Sequence, residues 1–258
     1  MPACGEEKTN MNKIYILWLR QIKKYLRSRS RIIGSLGQPI LFLLALGYGL
    51  GAVFQKAGEG NYLNFLAPGV IAMSILFTSI FSGMEIIWDR QFGFLKETLV
   101  APMSRFNIMI GRTMGGATVA TIQGIIVMLI SLIFGFRPAN WFGIFPAIII
   151  MFLIALLFTA LGTMVASLLE DMQGFQLIMN FLVMPLFFLS GSLFPLDGLP
   201  KILAIIARID PLSYGIDGLR ALLINAGHYG LGTDFFFLIV ITFIFMGLGS
   251  FFFKKIQI

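Results

Sequence analysis

Six long apolar segments run through the chain, at 32–54, 65–87, 108–134, 144–168, 174–195 and 235–253. Each approaches or exceeds the roughly 20 residues that a helix needs to cross a hydrocarbon core. None shows the strict alternation of a barrel strand, and a lone segment in hydrocarbon must satisfy its own backbone, so the pattern predicts six transmembrane helices. A different pattern precedes them. On a helix over 13–31, Lys13, Arg20, Lys24, Arg27 and Arg31 fall within about 40° of one line. Ile14, Trp18, Leu19, Ile22, Tyr25 and Leu26 oppose them, while Ile16 and Leu17 break the stripe. That is an amphipathic helix suited to lying in the membrane interface.

Composition sharpens this picture. Of 258 residues 58% are hydrophobic and 12% charged, with 27 Phe and 14 Met, which is too much apolar surface for one small soluble globule. The expected fold class is all-α and integral to the membrane: six spans, an N-terminal interfacial helix, and an external re-entrant helical hairpin between spans five and six. Residues 1–31 form the tail and interface helix, and 32–258 the transmembrane domain. The lone Cys4 and lone His228 offer no disulfide and no metal spacing, and the polar, basic start carries no signal-peptide core.

Charge sets the expected orientation. With the N-terminus in the cytoplasm, fourteen Lys and Arg lie inside and five outside. The positive-inside rule therefore favours both termini cytoplasmic in a cell (plasma or inner) membrane. The net charge of +7 is then a topology signal, and no nucleic-acid partner is needed to explain it.

Ionisable residues near mid-membrane, the usual marks of proton and ion paths, are missing from the spans. Glu85 and Arg112 lie near span ends. No phosphate-loop motif occurs, since Gly-Lys is absent, so any nucleotide-derived energy must come from a partner. Gly47-x-x-x-Gly51 and Gly111-x-x-x-Gly115 are small-residue patches where helices can approach. Pro39 and Pro185 are expected to bend spans one and five. Gln176, Asn180 and Ser190 form a polar stripe on span five that could face a translocation path or bond to another helix.

Two long connections carry the most information. The inner one, 88–107, includes Asp89, Arg90, Gly93, Leu95, Glu97, Pro102 and Arg105 and holds a short amphipathic stretch that Pro102 stops. Such a helix suits docking in a groove of a soluble partner. The outer one, 196–234, holds two apolar pieces, 199–207 and 214–224, split at Asp210-Pro211 and too short to span. Asp217 and Arg220 stand at i,i+3, a spacing at which they can pair and limit the cost of burial.

At these connections the sequence resembles the membrane subunits of type-2 ABC exporters, in the branch of daunorubicin-type drug permeases and nodulation-factor exporters. The inner match is Asp89-Arg90, Gly93, Leu95, Glu97, Leu99, Ala101-Pro102, Arg105 and Gly111-Arg112. The outer match is Ser190-Gly191, Phe194-Pro195, Leu199-Pro200, Pro211 and Gly218-Leu219-Arg220. Gln91 departs from the Glu common in the family. The resemblance implies a permease dimer with two cytosolic ATPase subunits, which would hold ATP and Mg, while this chain holds no cofactor and does no catalysis itself. It implies that 89–102 with Arg105 receives the push of ATP binding. It also implies that Phe194, Pro195, Pro200, Pro211, Asp217 and Arg220 belong to an external gate, and that spans one, two and five line the path. The expected cargo is hydrophobic, amphipathic, or a lipid-linked glycan. The alternatives are a secondary transporter or channel without an ATPase, and an intramembrane lipid enzyme. The first lacks its mid-membrane charges, and the second lacks Ser/His or Cys partners for its carboxylates.

Overall fold

A computed structural model describes residues 3–51, 54, 61–93, 104–195 and 200–254. All regular structure among them is helical. In chain order the elements are α1 (Ala3–Arg27), α2 (Arg29–Phe42) continued by a π-helical stretch Leu43–Tyr48, α3 (Tyr62–Gln91) and α4 (Arg105–Ile133). After a short 3₁₀ turn at Trp141–Gly143 come α5 (Ile144–Leu168), α6 (Met172–Leu189), α7 (Lys201–Ile209), α8 (Pro211–Ile224) and α9 (Leu231–Lys254). Six of these are long and apolar enough to cross a membrane: α2 with its π stretch, α3, α4, α5 with its preceding turn, α6 and α9.

The spans differ in how deeply they sit in the bundle. In α3, 72% of the most apolar window is buried, against 17% in α2 and 22% in both α6 and α9. So α3 is the central post and α2, α6 and α9 form the outer wall. Glycine makes the centre possible. A Cβ on Gly83 would lie 2.8 Å from the Thr163 backbone nitrogen, and one on Gly162 would lie 2.6 Å from the Ile80 carbonyl oxygen. Helices α3 and α5 therefore touch backbone to backbone.

The amphipathic helix does not simply lie on the surface. It runs along α4, where Leu17 Cβ sits 3.0 Å from the position a Gly111 Cβ would take and Gln21 packs into Gly115. Trp18 Nε1 donates to Thr118 Oγ1 at 3.0 Å and Tyr25 Oη donates to Gln123 Oε1 at 2.5 Å. Leu17, which breaks the apolar stripe in the sequence, is thus a packing residue. Tyr15, Ile16 and Leu26 remain exposed. Gly111 and Gly115 do serve helix approach, and Gly47 abuts Leu63, whereas a Cβ on Gly51 would meet nothing within 4 Å among the described residues.

Between spans five and six, α7 and α8 form a hairpin broken at Asp210. Asp210 caps α8 by accepting from the Leu212 N–H at 2.8 Å, and Pro211 opens the helix, where its missing N–H costs nothing. Helix α8 wedges against α3, α5 and α9. Gly215 meets Ile154 and Gly218 meets Ile150. Ile154 lies about 15 Å along α5 from its start at 1.5 Å per residue, so the hairpin penetrates well below the end of the bundle.

Candidate functional site

The bundle has two polar ends. The first gathers the ends of α3 and α9 with the starts of α4 and α6, and α1 lies beside it. Arg112 donates from Nη2 to Asp89 Oδ2 at 2.5 Å, and both side chains are buried, at 4% and 11% exposure. Arg20 approaches the other Asp89 oxygen at 3.7 Å. Glu85 pairs with Arg31 at 3.0 Å and Lys24 at 3.5 Å. Arg90 bonds Glu170 at 2.9 Å across the α5–α6 turn, and Asp171 caps α6 through the Gly174 N–H. That turn is acidic because one acid ties down Arg90 and the other caps a helix.

This network frames the inner connection. Asp89 and Arg90 close α3, Gly93 follows with φ +79°, and Arg105 opens α4 after Ser104 accepts from the Asn107 N–H at 3.2 Å. Leu95, Glu97 and Pro102 lie outside the described residues. Beside the network, a cavity of about 230 Å³ opens between α2 and α3, lined by Tyr25, Arg31, Gln38, Ser74, Phe77 and Thr78.

The opposite end belongs to the hairpin. Here the expected Asp217–Arg220 ion pair does not form. Asp217 instead accepts backbone N–H bonds from His228 at 2.7 Å and Tyr229 at 2.8 Å. Arg220 donates from Nη2 to the carbonyls of Gly191 at 2.8 Å, Ser192 at 3.3 Å and Phe65 at 3.4 Å, and its guanidinium stacks 3.8 Å from the Phe65 ring centroid. Backbone groups that would otherwise be orphaned win both side chains. Burial pulls Arg220 down to about 10, opposed by the nearby Asp217 charge, so the guanidinium stays protonated at neutral pH. Burial likewise pushes Asp210 up to about 8, against the Leu212 N–H bond that favours its charged form.

Arg220 thereby clamps the turn after α6 onto α3. The same turn presses on Gly69 through Ser192, and Tyr62 Oη donates to Leu193 O at 3.1 Å. Ser190 is 1% exposed and donates to Phe187 O at 2.8 Å, within its own helix. Gln176 and Asn180 lie on the exposed face of α6, near Leu177 and Phe181. Phe194 is exposed, Pro195 borders a pocket with Asp217 and Arg220, and Pro200 caps α7. Asp234, which the sequence pattern leaves in the outer connection, sits instead in the first turn of α9 and is fully buried. Helix starts tolerate an acid there, but nothing in the sequence signals its burial.

Residues 12–224 match the family described as ABC-2 type transporter, a stretch running from α1 to the end of α8. That is more than half of the chain. The protein belongs to the ABC-2 type transporter family. It is 31% identical over 219 residues to a protein of Cyanophora paradoxa named as transport permease ycf38, covering 82% of this chain and 74% of that one. It is 28% identical over 216 residues to nodulation protein J of Rhizobium leguminosarum bv. trifolii, covering 83% and 79%. As an ABC-2 permease it is a multi-pass membrane subunit of a transport system, of a family that works with an ABC ATPase. The hairpin-end clamp and the Asp89–Arg112 pair both lie within the matched ABC-2 region.

Proposed function

We propose that this chain is the membrane subunit of an ATP-driven exporter in the plasma or inner membrane, working as a dimer with two cytosolic ATPase subunits that hold ATP and Mg. The observation that carries the reading is the buried Asp89–Arg112 pair at the root of the inner connection. A push delivered to residues 89–105 meets two helices locked to each other, so force enters the bundle and is not absorbed by a loose loop. Asp89, Arg90, Gly93, Leu95, Glu97, Pro102 and Arg105 are assigned to this coupling role. The basic bias puts this end in the cytoplasm with both termini. The hairpin, wedged to the level of Ile154, is then a re-entrant outer gate held by Arg220. The cargo is a hydrophobic or amphipathic compound, drug-like or lipid-like, or a lipid-linked glycan, entering from the cytoplasm or inner leaflet. The cavity between α2 and α3, with an aromatic wall and hydroxyl and amide groups, supports an amphipathic choice.

The test is pull-down of a nucleotide-binding subunit with the tagged chain, followed by ATP-dependent export in vesicles carrying both. Orientation is checked in a Cys4→Ser background with single cysteines at the exposed Asn140 and Gln173. An impermeant reagent outside should label Asn140→Cys and spare Gln173→Cys. The reverse labelling, or export without any ATPase, overturns the reading.

A further inference from the structure

A pocket of about 450 Å³ opens at the hairpin end, bordered by the start of α3, the turn after α4 and α8. Its polar lining is dominated by donors. Asn61 and Asn64 spend their side-chain oxygens on the N–H groups of Leu63 at 3.0 Å and Arg137 at 3.1 Å, and among the described residues neither amide nitrogen has an acceptor. Arg137 lines the pocket, is exposed, and enters no ion pair among the described residues. Arg220 is only 7% exposed, and it commits Nη2 alone to protein carbonyls. Its Nη1 donates to no atom of the described residues. Among the described residues, the one acid in the lining is Asp217, and both its oxygens are engaged by backbone N–H groups. Two guanidinium groups thus face one satisfied carboxylate, and His228 adds a further nitrogen-rich ring to the wall. The remaining wall is apolar: Phe54, Phe65, Pro195 and Ile224.

We propose that this pocket binds the anionic headgroup of an amphiphile, a phosphate or carboxylate held by Arg137 and Arg220 with the Asn61 and Asn64 amides as further donors. A guanidinium fork matches such oxygen groups in a planar, two-bonded geometry. Desolvation of Arg220 strengthens the attraction relative to a surface arginine, because little water competes for its donors. The apolar wall suits the hydrocarbon or ring system adjoining the headgroup. Arg137 is the side chain free to swing onto the ligand, while Arg220 is fixed by the clamp.

Binding is read on the permease alone, so failure here and failure of ATP-driven export are separate results. The full chain in phosphatidylcholine nanodiscs is heated with inorganic phosphate, against chloride at equal ionic strength. In a second arm, part of the phosphatidylcholine is replaced by phosphatidylglycerol. A ligand that binds only the folded state raises the unfolding midpoint. Phosphatidylglycerol is expected to raise it in the wild type. R137A should weaken the apparent affinity by about tenfold, R137E should abolish the shift, and R137K should keep most of it. A shift with inorganic phosphate and none with phosphatidylglycerol keeps the anion site and assigns it a soluble ligand. No shift with either anion overturns the proposal, and so does a shift that R137A and R137E leave unchanged. Arg137 is exposed, so these variants leave the packing of the bundle intact.

Discussion

Arg112 on α4 and Asp89 on α3 meet at 2.5 Å in a nearly dry environment, 23 residues apart in sequence. They tie together the two helices that flank the inner connection. Only Nη2 of Arg112 is engaged, and its Nε and Nη1 are buried without partners. The pair is therefore indispensable to its own members more than it is strong. Removing Arg112 alone leaves a buried carboxylate with only the half-exposed Arg20 nearby. Arg112→Ala should cost about 3 kcal/mol. Arg112→Met with Asp89→Leu together should recover most of that, as read from unfolding midpoints in detergent. Additive losses would show that the pair does not hold these helices.

Gly83 and Gly162 mark the closest approach of α3 and α5. Gly162→Ala places a methyl against the Ile80 carbonyl, and the opposing atoms are backbone that cannot rotate away. Overpacking of this kind costs about 1–3 kcal/mol, and Gly162→Leu should abolish accumulation of folded protein. Gly49→Ala, whose Cβ would meet none of the described residues within 4 Å, is the control and should match the wild type. Thermal aggregation of the purified variants checks both.

Gly93 has a φ of +79°, and among the described residues nothing lies within 4 Å of a Cβ placed on it. A side chain there is penalised by backbone conformation, by about 1 kcal/mol. Even Gly93→Ala should shift how the connection leaves α3. The expected outcome is a folded subunit that still assembles with its ATPase, with cargo export reduced several-fold relative to ATP hydrolysis. Export and hydrolysis that stay in wild-type proportion would remove the connection as the point of transmission.

Asp217 and Arg220 hold different backbone partners and act on each other only through the proximity of their charges, so their contributions to stability should couple less than those of a direct ion pair. Arg220→Gln frees the carbonyls of Gly191 and Ser192, and Asp217→Asn loses one of two accepted N–H bonds. A double-mutant cycle should give a coupling of about 1 kcal/mol or less. A direct ion pair would give substantially more, and unfolding of the four proteins in detergent distinguishes the two.

The spans were legible because twenty or more apolar residues in a row have few other uses. Residues 144–168 coincide with α5 at both ends, since short polar turns bound them. The role of α1 was legible only in part. Amphipathicity looks the same whether the apolar face meets lipid or another helix, and it was Leu17, outside the stripe, that packed on Gly111. The Gly83–Gly162 contact had no signal, because two lone glycines in separate segments make no motif. Spacing showed that Asp217 and Arg220 could meet. It could not show that N–H groups 11 and 12 residues away, and carbonyls 28 and 29 residues away, would claim them first.

The thinly covered α6 has a thermodynamic consequence. Gln176 and Asn180 point outward from a helix of which only 22% of the span window is buried. An amide facing hydrocarbon without a partner costs a few kcal/mol. Within a dimer that cost falls away wherever the facing subunit supplies an acceptor. The folded state of one copy is then linked by mass action to the number of copies around it. Midpoints of unfolding should rise as the protein-to-lipid ratio rises, and Asn180→Leu should flatten that dependence. For a subunit that dimerises as proposed, stability becomes a property of its density in the membrane as much as of its sequence.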